Sequence, residues 1–335
     1  MRPFLLTLLA LAVLTRLLTG CATAQPPVAP VNAADPPSGH FAAAGGVRLP
    51  LRRHVAEAPR KAVLLALHGF NDYSRFVSEA ARYFTQHGIE TIAYDQRGFG
   101  DASDRGQWSG ADAMAADFLA ILAEVRRDYP GVPVFALGES MGASVIAIAL
   151  SQAPQTEIDG VILATPAVWS HDTMPWYQRF GIWAGASLAP GFTLSSTKFD
   201  ITPSDNTAMR TEWANDPLII KATRLDRLDA LTDLMASGQR ATPLLTQRTL
   251  LLYGLRDVMM PRRPMIALFE RWPADTGGNY RYALYPNGYH VLMRDLQRKV
   301  VWDDVLSWML KPEAPLPSGF ERPRARVLPI LRALP

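Results

Sequence analysis

Within "VFALGESMGAS" (Val134–Ser144), Ser140 is held between Gly138 and Gly142, directly after an apolar run and directly before the small-residue helical pattern "MGASVIAIALSQA". Gly-x-Ser-x-Gly in a strand-to-turn-to-helix setting is the signature of a nucleophile elbow, a sharp turn with strained backbone that lifts a serine hydroxyl above the end of a sheet. Side chains at positions 138 and 142 are expected to collide with the neighbouring strand and helix, which accounts for both glycines. The helix beginning after Ser140 would also aim the positive end of its dipole at negative charge developing there.

A serine hydroxyl is a poor nucleophile until a base takes its proton. Six histidines are present, but only His171 and His290 follow Ser140, the chain order in which such an elbow is completed. His290 lies in "YPNGYHVL", just past an apolar run, where a base can swing over the strand ends, whereas His171 falls in a segment read below as a cap. His290 is therefore the expected base. The third member must orient the imidazole and stabilise its protonated form. Asp257 in "TLLLYGLRDVMMP" follows an apolar run and a glycine; Asp159, Asp200, Asp205, Asp216, Asp226, Asp229, Asp233 and Asp275 compete by order, but none follows a strand end so cleanly. The oxyanion of an acyl-transfer intermediate needs two amide donors, expected from Met141, next after the nucleophile, and from Phe70 in the loop after "VLLALHGF". His68 reads as a structural hydrogen-bonder rather than a second base.

The elements that must position these residues alternate in type. Apolar runs at Ala62–His68, Ile89–Asp95, Val132–Gly138, Asp159–Pro166, Thr249–Gly254 and Tyr280–Pro286 are separated by amphipathic segments, among them "GADAMAADFLAILAEVRRDYPG", whose expected apolar face is Ala116, Leu119, Ile121, Leu122 and Val125. Strand-helix alternation predicts a mostly parallel central sheet with helices on both faces. Between residues 166 and 248 there is no strong strand signal, but Trp169, Trp176, Trp183 and Trp213 occur with Met174, Met209 and Met235. This stretch is too long for a loop and is expected to be a helical cap between the sixth and seventh strands, packing on the core and lining a pocket for an acyl chain. The expected organisation is a signal peptide at 1–20, a Pro/Ala-rich linker at 21–46, a catalytic core at 47–165 and 249–311 around the cap at 166–248, and a solvated Pro/Arg-rich tail at 312–335.

The 335 residues, 48% hydrophobic and 19% charged, suffice for one large core. A net charge of +3, with no Lys/Arg run interleaved with aromatics, argues against a nucleic-acid partner. Arg2 followed by "FLLTLLALAVLT" suits a secretory signal, and "LTGC" (Leu18–Cys21) resembles a bacterial lipobox, in which Cys21 becomes an acylated N-terminus. Cleavage there would remove Arg2 and Arg16 and no acid, reducing the net charge to +1 and leaving lipid as the main membrane attachment. The expected location is the bacterial cell envelope, on the periplasmic side of an outer membrane if the host is Gram-negative. A lone cysteine excludes an internal disulfide. "DQRGFGDAS" lacks the third glycine of a dinucleotide fingerprint, and no HExxH or Cys/His cluster offers zinc ligands, so neither cofactor nor metal is expected.

With these residues assembled, the chain resembles the α/β-hydrolase superfamily, and within it the monoacylglycerol lipase and lysophospholipase group, also described as serine aminopeptidase S33. The resemblance spans about Val47 to Leu310 and rests on "LALHGF", "AYDQRGFGDAS", "GESMGAS", "WANDPL", "LLLYGLRDVMMP" and "YPNGYHVLMRD". It implies Ser140 as nucleophile, Asp257 as acid, His290 as base, the Phe70 and Met141 amides as oxyanion hole, and a single-chain lipid ester as substrate. A peptidase or amidase with the same triad, and a non-catalytic envelope lipoprotein on a hydrolase scaffold, are the alternatives. The chain departs from the group at Glu139, where histidine is common, at Ala143, where a second glycine is common, and in "HGFNDYS", which lacks an extra glycine. All three border the expected pocket.

Overall fold

The computed structural model describes residues 35–195, 202–273 and 279–334. The expected signal peptide, Cys21 and most of the linker lie outside the described residues.

Among the described residues, eight strands form one sheet in the order β1-β2-β4-β3-β5-β6-β9-β10. β3 (Ala62–Leu67), β4 (Ile89–Tyr94), β5 (Val134–Glu139), β6 (Gly160–Ala164), β9 (Thr249–Gly254) and β10 (Tyr280–Tyr285) run parallel, while β1 (Gly39–Ala42) and β2 (Arg48–His54) join antiparallel at one edge. β3 to β6 and β9 are buried along their whole length, as a sheet covered on both faces requires. One face is packed by α2 (Ala111–Asp128) and α3 (Met141–Gln152), the other by α1 (Ser78–Thr85) and α8 (Arg298–Leu310). This is the α/β-hydrolase architecture, with the cap inserted after the sixth strand of the main sheet.

Four details differ from the sequence reading. Residues 39–46, assigned to the linker, instead supply β1 and a short 3-10 turn at Ala44–Gly46; backbone pairing with β2 and burial of Phe41 hold them on the sheet. The buried face of α2 is Met114, Ala115, Phe118, Ile121, Leu122 and Val125, with Ala116 exposed, because the bulky Met114 and Phe118 at i, i+4 spacing set the face. The cap contains α4 (Trp176–Leu188), α5 (Thr207–Asn215) and α6 (Leu225–Ala241), but also a two-stranded antiparallel sheet, β7 (Thr193–Ser195) with β8 (Ala222–Arg224), too short to leave a periodic trace. Finally, the C-terminal segment is no solvated tail. Leu284 N–H donates to Phe320 and Arg322 N–H to Tyr282, closing the open edge of β10, and α9 (Arg324–Ala333) buries Val327 and Leu331 completely beside α7 (Arg262–Arg271). Two apolar residues four apart and an unpaired sheet edge outweigh the polar composition.

Candidate active site

The turn after β5 places Ser140 at φ 54°, ψ −114°, a strained conformation for a residue with a Cβ. Several bonds hold it there. Ser140 N–H donates to Ala164 of β6, and its carbonyl accepts from Ala143 and Ala167. The flanking glycines are steric necessities: a Cβ at Gly138 would lie 2.4 Å from Ala143 N, and one at Gly142 would lie 2.4 Å from the Leu67 carbonyl of β3. Helix α3 thus starts directly beneath the hydroxyl.

His290 and Asp257 arrive from the loops after β10 and β9, the two strands that follow the cap. Their parallel pairing, Thr249 opposite Tyr280 through Gly254 opposite Tyr285, ends both strands at one rim, beyond which the loops meet. His290 Nδ1 lies 2.7 Å from Asp257 Oδ2, and His290 Nε2 lies 2.9 Å from Ser140 Oγ. A carboxylate can only accept, so Nδ1 carries the proton and the neutral ring presents Nε2 as acceptor of the serine proton. The second Asp257 oxygen accepts from the amides of Met259 and Met260, each at 2.8 Å. Burial lowers the basicity of the His290 ring, but the charge and hydrogen bond of Asp257, with Glu139 and Asp295 behind them, outweigh it and set its pKa above the ordinary imidazole value.

The competing acids have other roles. Asp216 accepts from Tyr73 Oη, Asp226 pairs with Arg224, Asp233 pairs with His171 in the cap, Asp159 accepts from Val134 N–H and Asp205 from Leu296 N–H. Asp229 lines a cavity in the cap away from Ser140. Asp200 and Asp275 lie outside the described residues. His68 is fully buried: Nε2 accepts from Gln96 N–H and Nδ1 faces the Gly69 carbonyl, so its ring ties two loops together, and burial pushes its pKa down.

Met141 is the first residue of α3, so its N–H is one of those an α-helix leaves without an intrahelical acceptor. Phe70 lies across from it, on a loop whose Gly69 comes so near the nucleophile that an added Cβ would stand 3.3 Å from Ser140 Cβ. Both residues line a cavity of about 560 Å³ with Ser140 and His290. Its remaining wall is largely apolar: Ala167 and Met260 from the core, and Trp169, Ile220, Leu231 and Met235 from the cap. The tryptophans and methionines of the cap therefore divide. Trp169, Trp213 and Met235 face the cavity and Met174 is buried, whereas Trp176 and Trp183 stand out from α4, a helix that buries none of its residues.

Three positions to which the sequence reading gave no role support the site. Thr165, at φ 45° after β6, donates from Oγ1 to the His290 carbonyl at 2.7 Å. Asp295 accepts from Tyr289 N–H and from Ser204 Oγ, joining the loop of His290 to the cap, and its burial pushes the carboxyl up to about 7. Arg294 bonds Asp72 at 2.5 Å and Glu139 at 3.1 Å, so the departure at position 139 belongs to a buried charged cluster beside the nucleophile. Burial pushes the Glu139 carboxyl up, Arg294 offsetting part of that. Arg294 and Asp295 fall within "YPNGYHVLMRD", but the partners that give each its place come from loops distant in the chain.

A family model described as serine aminopeptidase, S33, matches residues 58–297. The chain is similar to the monoacylglycerol lipase of Mycolicibacterium smegmatis, 25% identical over 81% of this chain and 95% of that protein, and to the monoglyceride lipase of Rattus norvegicus, 27% identical over 77% and 84%. Among solved structures, a soluble variant of Saccharomyces cerevisiae monoglyceride lipase in complex with a substrate analog superposes with a TM-score of 0.67 at 17% identity, covering 87% of this chain and all of that one. The Paleococcus ferrophilus monoacylglycerol lipase gives 0.65 at 18% identity over 78% and 98%. These two likenesses show the fold.

Proposed function

The chain belongs to the serine aminopeptidase S33 family, and from that premise we propose that it is a serine hydrolase of carboxylic esters of single-chain lipids, monoacylglycerols or lysophospholipids, acting through an acyl-enzyme. The observation that carries this reading is the hydrogen-bonded series Asp257–His290–Ser140 opening into an apolar cavity. His290 Nε2 takes the proton of Ser140 as Oγ attacks the ester carbonyl, and Asp257 holds the imidazolium that results. The Met141 and Phe70 amides receive the oxyanion, each such donor contributing roughly 3 to 4 kcal/mol to the transition state. His290 then gives its proton to the leaving alcohol, and water repeats the cycle on the acyl-Ser140. The similarity to monoacylglycerol and monoglyceride lipases supports an ester rather than an amide substrate.

Lipid attachment at Cys21 belongs to the same reading, supported by "LTGC" alone. Among the described residues no helix is long and apolar enough to cross a membrane. The exposed aromatic side chains of α4, Trp176, Tyr177, Phe180 and Trp183, suit contact with the lipid surface that carries the substrate.

A fluorophosphonate probe should label wild-type protein at Ser140 and leave Ser140→Ala unlabelled, with loss of p-nitrophenyl acyl ester hydrolysis in the variant. Hydrolysis by Ser140→Ala at the wild-type rate would overturn the mechanism. Faster cleavage of short amides than of acyl esters would favour the peptidase alternative.

A further inference from the structure

The loop that carries Phe70 has no glycine at the place where its backbone is most constrained. Gly69 to Asp72 form a turn closed by Asp72 N–H, which donates to the Gly69 carbonyl at 3.3 Å, and Asn71, third in that turn, sits at φ 65°. A left-handed conformation at this place in a turn favours glycine, with asparagine the side-chain-bearing residue that adopts it at least cost. "HGFNDYS" therefore keeps the backbone that an extra glycine would give, and adds a side chain to it.

That side chain reaches the cap. Asn71 Nδ2 donates to Thr223 Oγ1 of β8 at 2.7 Å, and the Asn71 carbonyl accepts from Ile220 N–H at 3.0 Å. Thr223 is buried, so water competes little for the bond. The same cap segment is seated on the core by Tyr73 Oη, which donates to Asp216 at 2.6 Å, and by Arg105, which donates to the Pro217 carbonyl at 2.8 Å. The Phe70 ring packs edge-on against Phe99 and Trp108, with ring centres 5.5 and 6.1 Å away. Phe70 is thus held by its own ring on one side and, through Asn71, by the cap on the other. Released from Thr223 and Ile220, Asn71 gains by leaving the left-handed region, and a rotation there re-aims the adjoining peptide and shifts Phe70. An oxyanion donor contributes fully only when it already points at the oxyanion.

We propose that Asn71 is a positioning residue for the oxyanion hole and that Thr223 of the cap latches it, so that the cap holds the Phe70 amide in place for catalysis. The proposal rests on the serine-esterase reading above and gives the cap a role beyond lining the cavity.

The test measures kcat and KM on a soluble p-nitrophenyl ester and the affinity for an alkyl boronic acid. The boron bonds to Ser140 Oγ, the serine proton passes to His290, and the tetrahedral adduct sets an oxygen in the oxyanion hole. Asn71→Gly removes the side chain and leaves the left-handed backbone accessible; Thr223→Val removes the hydroxyl and keeps the branched shape. Each should lower kcat and boronate affinity together by about threefold to tenfold, the net worth of one hydrogen bond, with KM within about twofold of wild type and the acid limb of the pH profile unmoved. The two substitutions combined should lose no more than either alone, because they remove one bond. Thr223→Ser, which restores the hydroxyl, should recover both values. Rates are taken per site titrated with a fluorophosphonate, so loss of folded protein does not mimic the result. Wild-type kcat and boronate affinity in both single variants overturns the latch, as does a rise in KM at unchanged kcat, or losses that multiply in the combined variant. If the wild-type protein cleaves no ester, the serine-esterase reading itself fails.

Discussion

The imidazole of His290 donates from Nδ1 to Asp257 Oδ2 at 2.7 Å while both side chains are almost wholly buried, so the ring is oriented by a carboxylate that water scarcely reaches. Asp257 is itself locked by the amides of Met259 and Met260. The pair therefore fixes both the direction of Nε2 and its affinity for a proton.

The pH dependence follows from that affinity. Burial acts to lower the His290 pKa, but the charge and hydrogen bond of Asp257 together with the charges of Glu139 and Asp295 outweigh it, and the net shift is upward. The base works only when neutral, so kcat/KM should be lost as pH falls through a pKa above the ordinary imidazole value of about 6.5, and should be retained above it. Asp257→Asn should lower kcat by about 10³ to 10⁴ and move the acid limb downward. A pH-rate profile on a soluble ester measures both; a profile flat to about pH 4 would exclude His290 as the base.

Gly142→Ala tests the steric argument for the elbow. The new Cβ would lie 2.4 Å from the Leu67 carbonyl, a backbone atom that cannot give way without moving β3. Fluorophosphonate labelling should fall by at least about tenfold, with lower thermal stability. Labelling at the wild-type level would show that the turn has room that the close contact denies.

Helix α4 offers a separate test. Trp176 is 78% and Trp183 57% exposed, far from Ser140 in function yet apolar. Replacing both with serine should leave hydrolysis of a short soluble ester near the wild-type rate and reduce hydrolysis of monoacylglycerol in vesicles by about tenfold or more, since each indole withdrawn from a lipid surface forfeits apolar burial. Equal effects on both substrates would remove the interfacial role.

At the C terminus, Leu331→Ala should lower the unfolding free energy by about 2 to 5 kcal/mol, because Leu331, on the inner face of α9, is fully buried. Urea denaturation of the otherwise intact protein reads this directly. A change within about 0.5 kcal/mol would mean that α9 is held by nothing its apolar residues contribute.

Much of this molecule was legible in one dimension because the signals are local. Apolar runs without alternation, such as "AVLLAL" and "TLLLYG", can be satisfied only between two helical layers, and the glycine spacing around Ser140 reports a backbone geometry set within five residues. His290 and Asp257 stood out by their places after strands and by chain order. What local patterning could not carry was set by tertiary structure: the edge strand at Gly39–Ala42, the docking of α9, the Thr165 bond to His290, and the Asp72–Arg294–Glu139 cluster. In each case the deciding energy is a contact between segments far apart in the chain, where pairing and burial override the polarity or turn propensity that the residues show alone.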